Sequence, residues 1–185
     1  HGVPEGEGAR DDAHEGVEEV VLGVEGGVDL AARQGAVETP RALVETGADV
    51  NGQTAGDLTS QMLIAMDNGH FDLALYFLQK GADPNLASDA GMAPLYAALN
   101  VHWAPKAFYP QPRAYLQQQA SYLDVMKTLL AKGADPNARL QRKIWYTQYN
   151  FDLLRVDDTG ATPFWRAAYA SDIEAMKMLV AAGAD

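Results

Sequence analysis

One short pattern recurs along the chain and constrains its fold more than any other feature. Gly-Ala-Asp occurs at residues 47–49, 81–83, 133–135 and 183–185, and asparagine follows two residues after the first three copies. Over Leu123–Leu130, just before the third copy, apolar residues have the spacing of one helix face. Glycine ends helices readily because it adopts the left-handed conformation without a Cβ penalty, and Asp, Pro and Asn favour turns. The pattern therefore predicts a helix followed by a turn at each copy.

The intervals between these glycines indicate a repeat with long insertions. Gly47 and Gly81 are 34 residues apart, Gly81 and Gly133 are 52 apart, and Gly133 and Gly183 are 50 apart. A fixed period near 33 residues with two helices per unit is the signature of ankyrin arrays. The second and third intervals then equal one such repeat plus about 19 and about 17 further residues.

The other half of each unit lies upstream of its glycine. Thr162–Ala168, T-P-F-W-R-A-A, resembles the ankyrin motif T-P-L-H-x-A-A, and Asp157–Ala161 introduces it. Ala93–Ala98 and Ser60–Ala65 are weaker copies, and Leu30–Gly35 keeps only the second part of the motif. On these residues the chain resembles the ankyrin repeat family over residues 28–185.

The resemblance implies an all-α fold, an ankyrin-repeat solenoid in which stacked helix–turn–helix units carry β-hairpin fingers. We expect repeats at residues 28–53, 54–87, 88–156 and 157–185, with inserts at 101–120 and 138–156. Residues 1–27, rich in glycine and glutamate, are either an acidic extension or a degenerate capping repeat. Branched and aromatic residues over Ile144–Tyr149 favour a strand pair that extends one finger. Arg113–Ala120 is a candidate to extend the following helix backwards.

The two inserts differ in composition from the repeats. They hold eight of the sixteen aromatic residues and six of the fourteen lysines and arginines, against a single acid, Asp152. They therefore carry a net charge of +5 in a chain whose total is −11. Long loops in compact domains are usually functional or disordered, and aromatic residues and arginine are enriched at interfaces. The candidate partner-binding residues are Trp103, Phe108, Tyr109, Arg113, Tyr115, Arg142, Lys143, Trp145, Tyr146, Tyr149 and, outside the inserts, Tyr169.

Three interpretations of the inserts stay open. In the first, the rings pack on each other and on the helices, and the bases are solvated or paired with the acidic body. In the second, the inserts and the concave face bind a partner protein without catalysis, which is the role that the resemblance implies and the one we predict. In the third, the inserts close a pocket for a small ligand or form an accessory domain of a longer enzyme. A protruding aromatic patch would favour the second, and a concave cavity lined by both inserts the third.

Composition and motifs argue against several other classes. The net charge of −11 disfavours nucleic acid binding through phosphates, and no apolar run reaches the 18 or so residues of a membrane span. Histidines and carboxylates show no metal-ligand spacing. Asp158–Ala161, D-T-G-A, matches the loop of aspartic proteases, but Thr162-Pro163 opens a helix where that chemistry needs a strand. We therefore predict no enzyme activity, no catalytic residue, no cofactor and no metal.

The expected partner is another protein, which the sequence does not name. Further repeats or domains of the same chain are a second expectation, because the last helix, Ile173–Ala182, has the apolar spacing of an interior repeat. The chain has no cysteine, which is compatible with a soluble protein of the cytoplasm, of the periplasm or of the secreted class. The compartment therefore stays open.

Overall fold

The computed structural model describes residue 32 and residues 37–103, 114–144 and 156–185. Its regular structure is helical, which confirms the all-α class. The α-helices in the described ranges are α1 (Glu38–Glu45), α2 (Gln61–Asp67), α3 (Phe71–Gln79), α4 (Pro94–His102), α5 (Tyr122–Ala131), α6 (Pro163–Tyr169) and α7 (Ile173–Ala181), and a 3₁₀ helix, η1 (Ala114–Gln117), precedes α5.

Short polar side chains begin most of these helices. Ser60 and Thr162 each accept a hydrogen bond from the backbone N–H three residues further on, at 3.2 Å. Ser121 forms a capping box with Asp124, in which each side chain accepts from the other residue's backbone N–H. Such caps supply partners for N–H groups that the first turn of a helix leaves unpaired. They explain why α2, α5 and α6 begin where they do.

The Gly-Ala-Asp turns are built alike. Gly47, Gly81, Gly133 and Gly183 have φ between 89° and 101°, in the left-handed region, as the sequence pattern predicts. In the turns that continue to asparagine, the aspartate Oδ1 accepts a hydrogen bond from the asparagine N–H, at 2.8–2.9 Å. This contact is an Asx turn, and it closes the chain reversal after each helix pair.

The asparagines link each turn to the next one. The side chain of Asn85 donates to the carbonyl oxygen of Gly133 (2.9 Å) and accepts from the N–H of Asp135 (2.7 Å). Asn51 makes the same two bonds to the Gly81 turn, and Asn137 makes them to the Gly183 turn. Each asparagine side chain therefore bridges its own turn to the Gly-Ala-Asp turn of the next unit.

The helices pack in pairs and in rows. α2 pairs with α3, α4 with α5, and α6 with α7. α4 also lies against α2 on one side and α6 on the other, and α3 lies against α5. Fully buried side chains fill both rows: Leu63, Leu95 and Ala167 from α2, α4 and α6, and Phe77, Leu129 and Leu179 from α3, α5 and α7. Burial of this apolar surface is the main source of stability in such a packing.

The predicted β-hairpin fingers are wrong for the part of the chain that the structure describes. The segments between helix pairs form turns there, with one isolated antiparallel bridge, Gln53 with Ser60. Two backbone bonds close the loop from Thr54 to Thr59, from the N–H of Thr54 to the carbonyl of Thr59 (3.1 Å) and from the N–H of Leu58 to the carbonyl of Thr54 (3.2 Å), so too few extended residues remain for a ladder. Successive loops are nevertheless joined, because the N–H of Asp89 donates to the carbonyl of Asp57 at 2.9 Å.

The first insert starts later than predicted and does not lengthen α5. Val101 and His102 belong to α4, because that helix continues for two residues past Asn100. η1 is separate from α5, because Ser121 is extended and caps the new helix. Residues 1–27 and most of the predicted strand pair lie outside the described residues. Ile144, the described residue of that pair, is buried and not in a strand.

Candidate functional site

A concave cavity of about 390 Å³ lies where α2 and α4 face the loops of three successive units. We call it the groove. Its lining residues are Asp57, Thr59, Ile64, Asp67, Asn68, Ser88, Asp89, Ala90, Met92, Asn100, Val101, Arg142, Lys143 and Ile144. The volume falls within the range of small-molecule sites, and the mixture of an apolar floor with a few polar groups is typical of binding sites.

Charged side chains of both signs line the groove. Asp57, Asp67 and Asp89 contribute carboxylates, and the second insert contributes Arg142 and Lys143. Arg142 Nη2 forms an ion pair with Asp89 Oδ2, and the Arg142 side chain is 61% exposed. A hydrogen bond from the Thr54 hydroxyl holds the pKa of Asp57 below its ordinary value. Asp57 is therefore a carboxylate near neutral pH.

A buried polar network lies behind the groove and orients Asn100. Asn100 is 1% exposed, and its Oδ1 accepts a hydrogen bond of 2.9 Å from Nε of Arg166, which is 6% exposed. Because the guanidinium only donates, the oxygen of Asn100 must face it, so the amide NH₂ points the other way. Burial lowers the pKa of Arg166, while Tyr96 and Asp158 oppose that shift. Burial also raises the pKa of the Tyr96 hydroxyl, which stays protonated.

Two polar groups of the groove have unused hydrogen-bonding capacity. The Ser88 hydroxyl is buried and has no hydrogen-bond partner within the described ranges. Nδ2 of Asn100 donates to no described residue, because the one hydrogen bond of that side chain is the bond that Oδ1 accepts from Arg166. Buried polar groups are normally hydrogen-bonded. Unpaired polar groups at the wall of a cavity are places where a ligand or an ordered water completes the hydrogen bonding.

The candidate Trp103 meets Tyr122, which was not predicted as a site residue, at a different place, at the N-terminus of α7. Oδ2 of Asp172 accepts hydrogen bonds from Nε1 of Trp103 (2.9 Å) and from the hydroxyl of Tyr122 (2.7 Å). Its Oδ1 accepts from the N–H of Ala175 at 3.0 Å and so caps the helix. His102 stacks on Tyr122 with ring centroids 3.8 Å apart, and the edge of Trp103 meets His102 at 4.9 Å. These contacts form an aromatic cluster that joins α4, α5 and α7.

Electrostatics in this aromatic cluster follow from burial and from hydrogen bonds. Burial raises the pKa of Asp172, but the hydrogen bonds from Ala175, Tyr122 and Trp103 lower it further than burial raises it, so the net pKa lies below the ordinary value. Burial lowers the pKa of His102, partly offset by Asp172. Burial and the hydrogen bond to Asp172 raise the pKa of Tyr122. The carboxylate is charged, and the histidine is neutral near pH 7.

The candidate Tyr115 and the C-terminal end of the first insert contact α3, which belongs to the preceding helix pair. The Tyr115 ring packs on Phe71 with centroids 6.3 Å apart and on His102 at 5.5 Å. The carboxylate of Asp72, in the first turn of α3, accepts from the N–H groups of Gln119 (2.8 Å) and Ala120 (2.9 Å). Trp103 and Tyr115 thus contact the helices, as in the packing interpretation, although Trp103 remains 41% exposed.

The remaining candidates divide between the groove, a separate exposed ring and the undescribed part of the chain. Arg142 and Lys143 line the groove. Tyr169, 49% exposed, stacks on Trp165 with centroids 5.2 Å apart and planes at 6°. Phe108, Tyr109, Arg113, Trp145, Tyr146 and Tyr149 lie outside the described residues. The structure therefore brings two of the eleven candidates into the groove.

The groove's aspartates, Asn100 and Ser88 were not among the predicted site residues. A usable signal existed in the repeat register. Asp67, Asn100 and Tyr169 each stand seven residues after the N-cap residue of α2, α4 and α6. Equivalent positions of stacked units share a face, so an unusual residue at one of them marks that face for the others. Polar or aromatic residues at this position therefore indicate a shared face of the helices, of which Asp67 and Asn100 line the groove.

Within the described residues, the structure shows neither a metal site nor a helix suited to crossing a membrane. No group of three His, Asp or Glu side chains within the described ranges is placed to hold a metal ion. None of the helices found there combines the length and the apolar character that crossing a membrane requires. No family model matches the chain, and no curated protein is significantly similar to it.

Proposed function

We propose that this chain is an ankyrin-repeat solenoid that binds another protein through the groove, without catalysis. The solenoid part of the proposal is supported by the recurring left-handed glycines and by the asparagine bridges between turns. It is further supported by the row of α2, α4 and α6, in which each helix packs on the next. Stacked repeats of this kind create extended concave binding surfaces.

The observation that carries the binding role is the groove itself. It combines an apolar floor, charged side chains of both signs, and buried polar groups with unused hydrogen-bonding capacity. Its position across α2, α4 and the adjoining loops makes it a surface that a segment of a partner protein could follow along the stack. Few orienting polar groups over an apolar base are what specific recognition needs.

Peptide selection on the immobilised chain tests this role. A random peptide library should yield binders whose affinity is lost in Asn68→Trp, which places a large ring in the groove at an exposed helix C-cap. Ala182→Trp is the matched control, because it adds the same ring at the exposed C-cap of α7. Circular dichroism should show both variants folded. Selected peptides that bind wild type and Asn68→Trp equally, or no enrichment at all, would reject the groove as the binding surface.

A small-ligand pocket is the second candidate function. The groove's volume, about 390 Å³, and its lining by Val101 from the first predicted insert and by Arg142–Ile144 from the second favour it. A library of small charged and polar compounds, screened by thermal shift against wild type and Asn68→Trp, separates the two functions. Groove-dependent stabilisation by a compound, together with failure of the peptide selection, would replace protein binding by ligand binding.

A further inference from the structure

We propose that the groove recognises a partner segment carrying an arginine or lysine side chain, and that Arg142 occupies the same carboxylate when the partner is absent. The proposal rests on the protein-binding function and specifies the chemistry of the bound segment. It is carried by the charges, the polar groups and the floor of the groove.

The electrostatics of the groove favour a cation. Three aspartates and two bases, Arg142 and Lys143, line it, which leaves one negative charge in excess, and the ion pair of Arg142 with Asp89 shows that a guanidinium group is accepted there. The last turns of α2 and α4 also face it, at Asp67 and at Asn100–Val101. Helix C-termini carry partial negative charge from unpaired carbonyl groups, and they stabilise cations nearby. A positively charged side chain entering the groove therefore meets carboxylates and two helix ends of the same sign.

The buried polar groups match a peptide backbone. The Asn100 amide NH₂, turned away from Arg166, is a donor for a carbonyl oxygen. The Ser88 hydroxyl, buried and without a partner in the described residues, is able to donate or accept. Together they supply the hydrogen bonds that an extended segment loses when it leaves water. These two groups are independent of the acidic residues, and they indicate a ligand with amide groups.

The apolar floor suits the stem of a long basic side chain. Ile64, Met92, Val101 and Ile144 contribute aliphatic surface to the groove. Arginine and lysine bury their methylene groups along apolar surface while their charged heads reach polar partners. Aspartate or glutamate on the partner would instead face three carboxylates against two bases, one of which is already paired. The floor and the charges thus select the same class of residue.

Arg142 is placed to act as an internal competitor. Its side chain is 61% exposed, and that of Asp89 is 29% exposed, so their ion pair lies at the solvent edge of the groove. Exposed ion pairs contribute little net stability, and displacement of Arg142 by an incoming cation is correspondingly inexpensive. Removing Arg142 should both free Asp89 and remove a repulsive charge. Both effects strengthen binding of a cation.

Nuclear magnetic resonance titration of the 185-residue chain tests the proposal with two probes, Nα-acetyl-L-arginine methylamide and its neutral isostere Nα-acetyl-L-citrulline methylamide. The arginine probe should shift the side-chain amide signal of Asn100 in a saturable manner, and the citrulline probe should bind more weakly. Asp89→Asn should weaken the arginine probe by about fivefold, which corresponds to one exposed charge pair. Arg142→Gln should strengthen it by about two- to fivefold for the same reason.

Lys177→Gln is the matched control for Arg142→Gln. Lys177 is an exposed base paired with Glu174 on α7, so this change alters the net charge equally and lies outside the groove. Its affinity for the arginine probe should equal that of wild type. Equal binding of the two probes, equal affinities of Arg142→Gln and Lys177→Gln, or no saturable shift would each overturn the proposal.

The peptide selection separates this inference from the proposed function. Groove-dependent peptides should contain arginine or lysine, and substitution of that residue by citrulline or norleucine should weaken them. If groove-dependent peptides lack a basic residue, protein binding stands and the inference about its chemistry fails. If no selected peptide depends on the groove, the proposed function itself fails.

Discussion

Asp172 offers the sharpest test of how the first insert is tied to the helices. Its carboxylate caps α7 through Ala175 and accepts hydrogen bonds from Trp103 and Tyr122, on two other segments of the chain. In Asp172→Ala all three bonds are lost. In Asp172→Asn the cap is kept, because asparagine is a good N-cap residue, but the neutral amide is a poorer acceptor for the other two donors.

The magnitudes follow from these contacts. Loss of an N-cap costs about 1 kcal/mol, and hydrogen bonds to a charged group contribute about 1.5–3 kcal/mol each when they are well buried. Trp103 is 41% exposed and Tyr122 is half-buried, so water will replace part of each bond. We expect Asp172→Ala to lower the free energy of unfolding by about 3 kcal/mol and Asp172→Asn by about 1–2 kcal/mol.

Urea unfolding followed by circular dichroism, with hydrogen exchange of the α7 amides as a local probe, measures both variants. Glu174→Ala is the control, because Glu174 is an exposed acid on the same helix whose ion pair with Lys177 should contribute less than about 1 kcal/mol. Tyr122→Phe combined with Asp172→Asn should cost less than the sum of the two changes, since both act on the same hydrogen bond, which Tyr122→Phe removes and Asp172→Asn weakens. Stability of Asp172→Asn within about 0.5 kcal/mol of wild type would refute the assigned role of Asp172.

Three further predictions concern the turns and the histidine. Asn85→Ala should lower the free energy of unfolding by about 1–2 kcal/mol in urea, because two exposed bridging bonds are lost; an unchanged midpoint would contradict the bridging role. Gly91→Ala should cost about 1–3 kcal/mol more than Gly160→Ala, because both have φ of +78° but an added Cβ meets backbone atoms at 2.7 Å only at Gly91; equal costs would argue against close loop packing. Burial lowers the pKa of His102 in the folded chain. As the pH drops below 6.5, the unfolded chain therefore binds a proton at this histidine before the folded chain does, and the free energy of unfolding should fall. His102→Phe, melted at several pH values, should weaken this pH dependence. An unchanged slope would assign the pH dependence to another titrating group.

The helices were predictable because their signals are local. The α5 prediction from Leu123–Leu130 and its glycine agrees with the observed Tyr122–Ala131, since apolar spacing, a serine cap and a glycine stop act within a few residues of each other. Thr162-Pro163 likewise predicted the start of α6, because a proline at the first helical position has no N–H that would need a partner. The prediction of β-hairpin fingers was wrong for the described residues, because loops such as Thr54 to Thr59 close too tightly to form a ladder.

The sequence by itself determined where the chain turns, because glycine conformation, capping and apolar spacing are properties of neighbouring residues. The asparagine after each of the first three turns is visible in the sequence, but its hydrogen bonds to the next turn appeared only in the structure. Only the tertiary structure decided which candidate residues share a site. Trp103 hydrogen-bonds to Asp172, which is 69 residues away in the sequence, and Arg142 hydrogen-bonds to Asp89, which is 53 residues away. Asn100 acquired its orientation from Arg166 on another helix. Pairings of this kind depend on how the units stack, and no local pattern in the chain encodes which polar groups meet there.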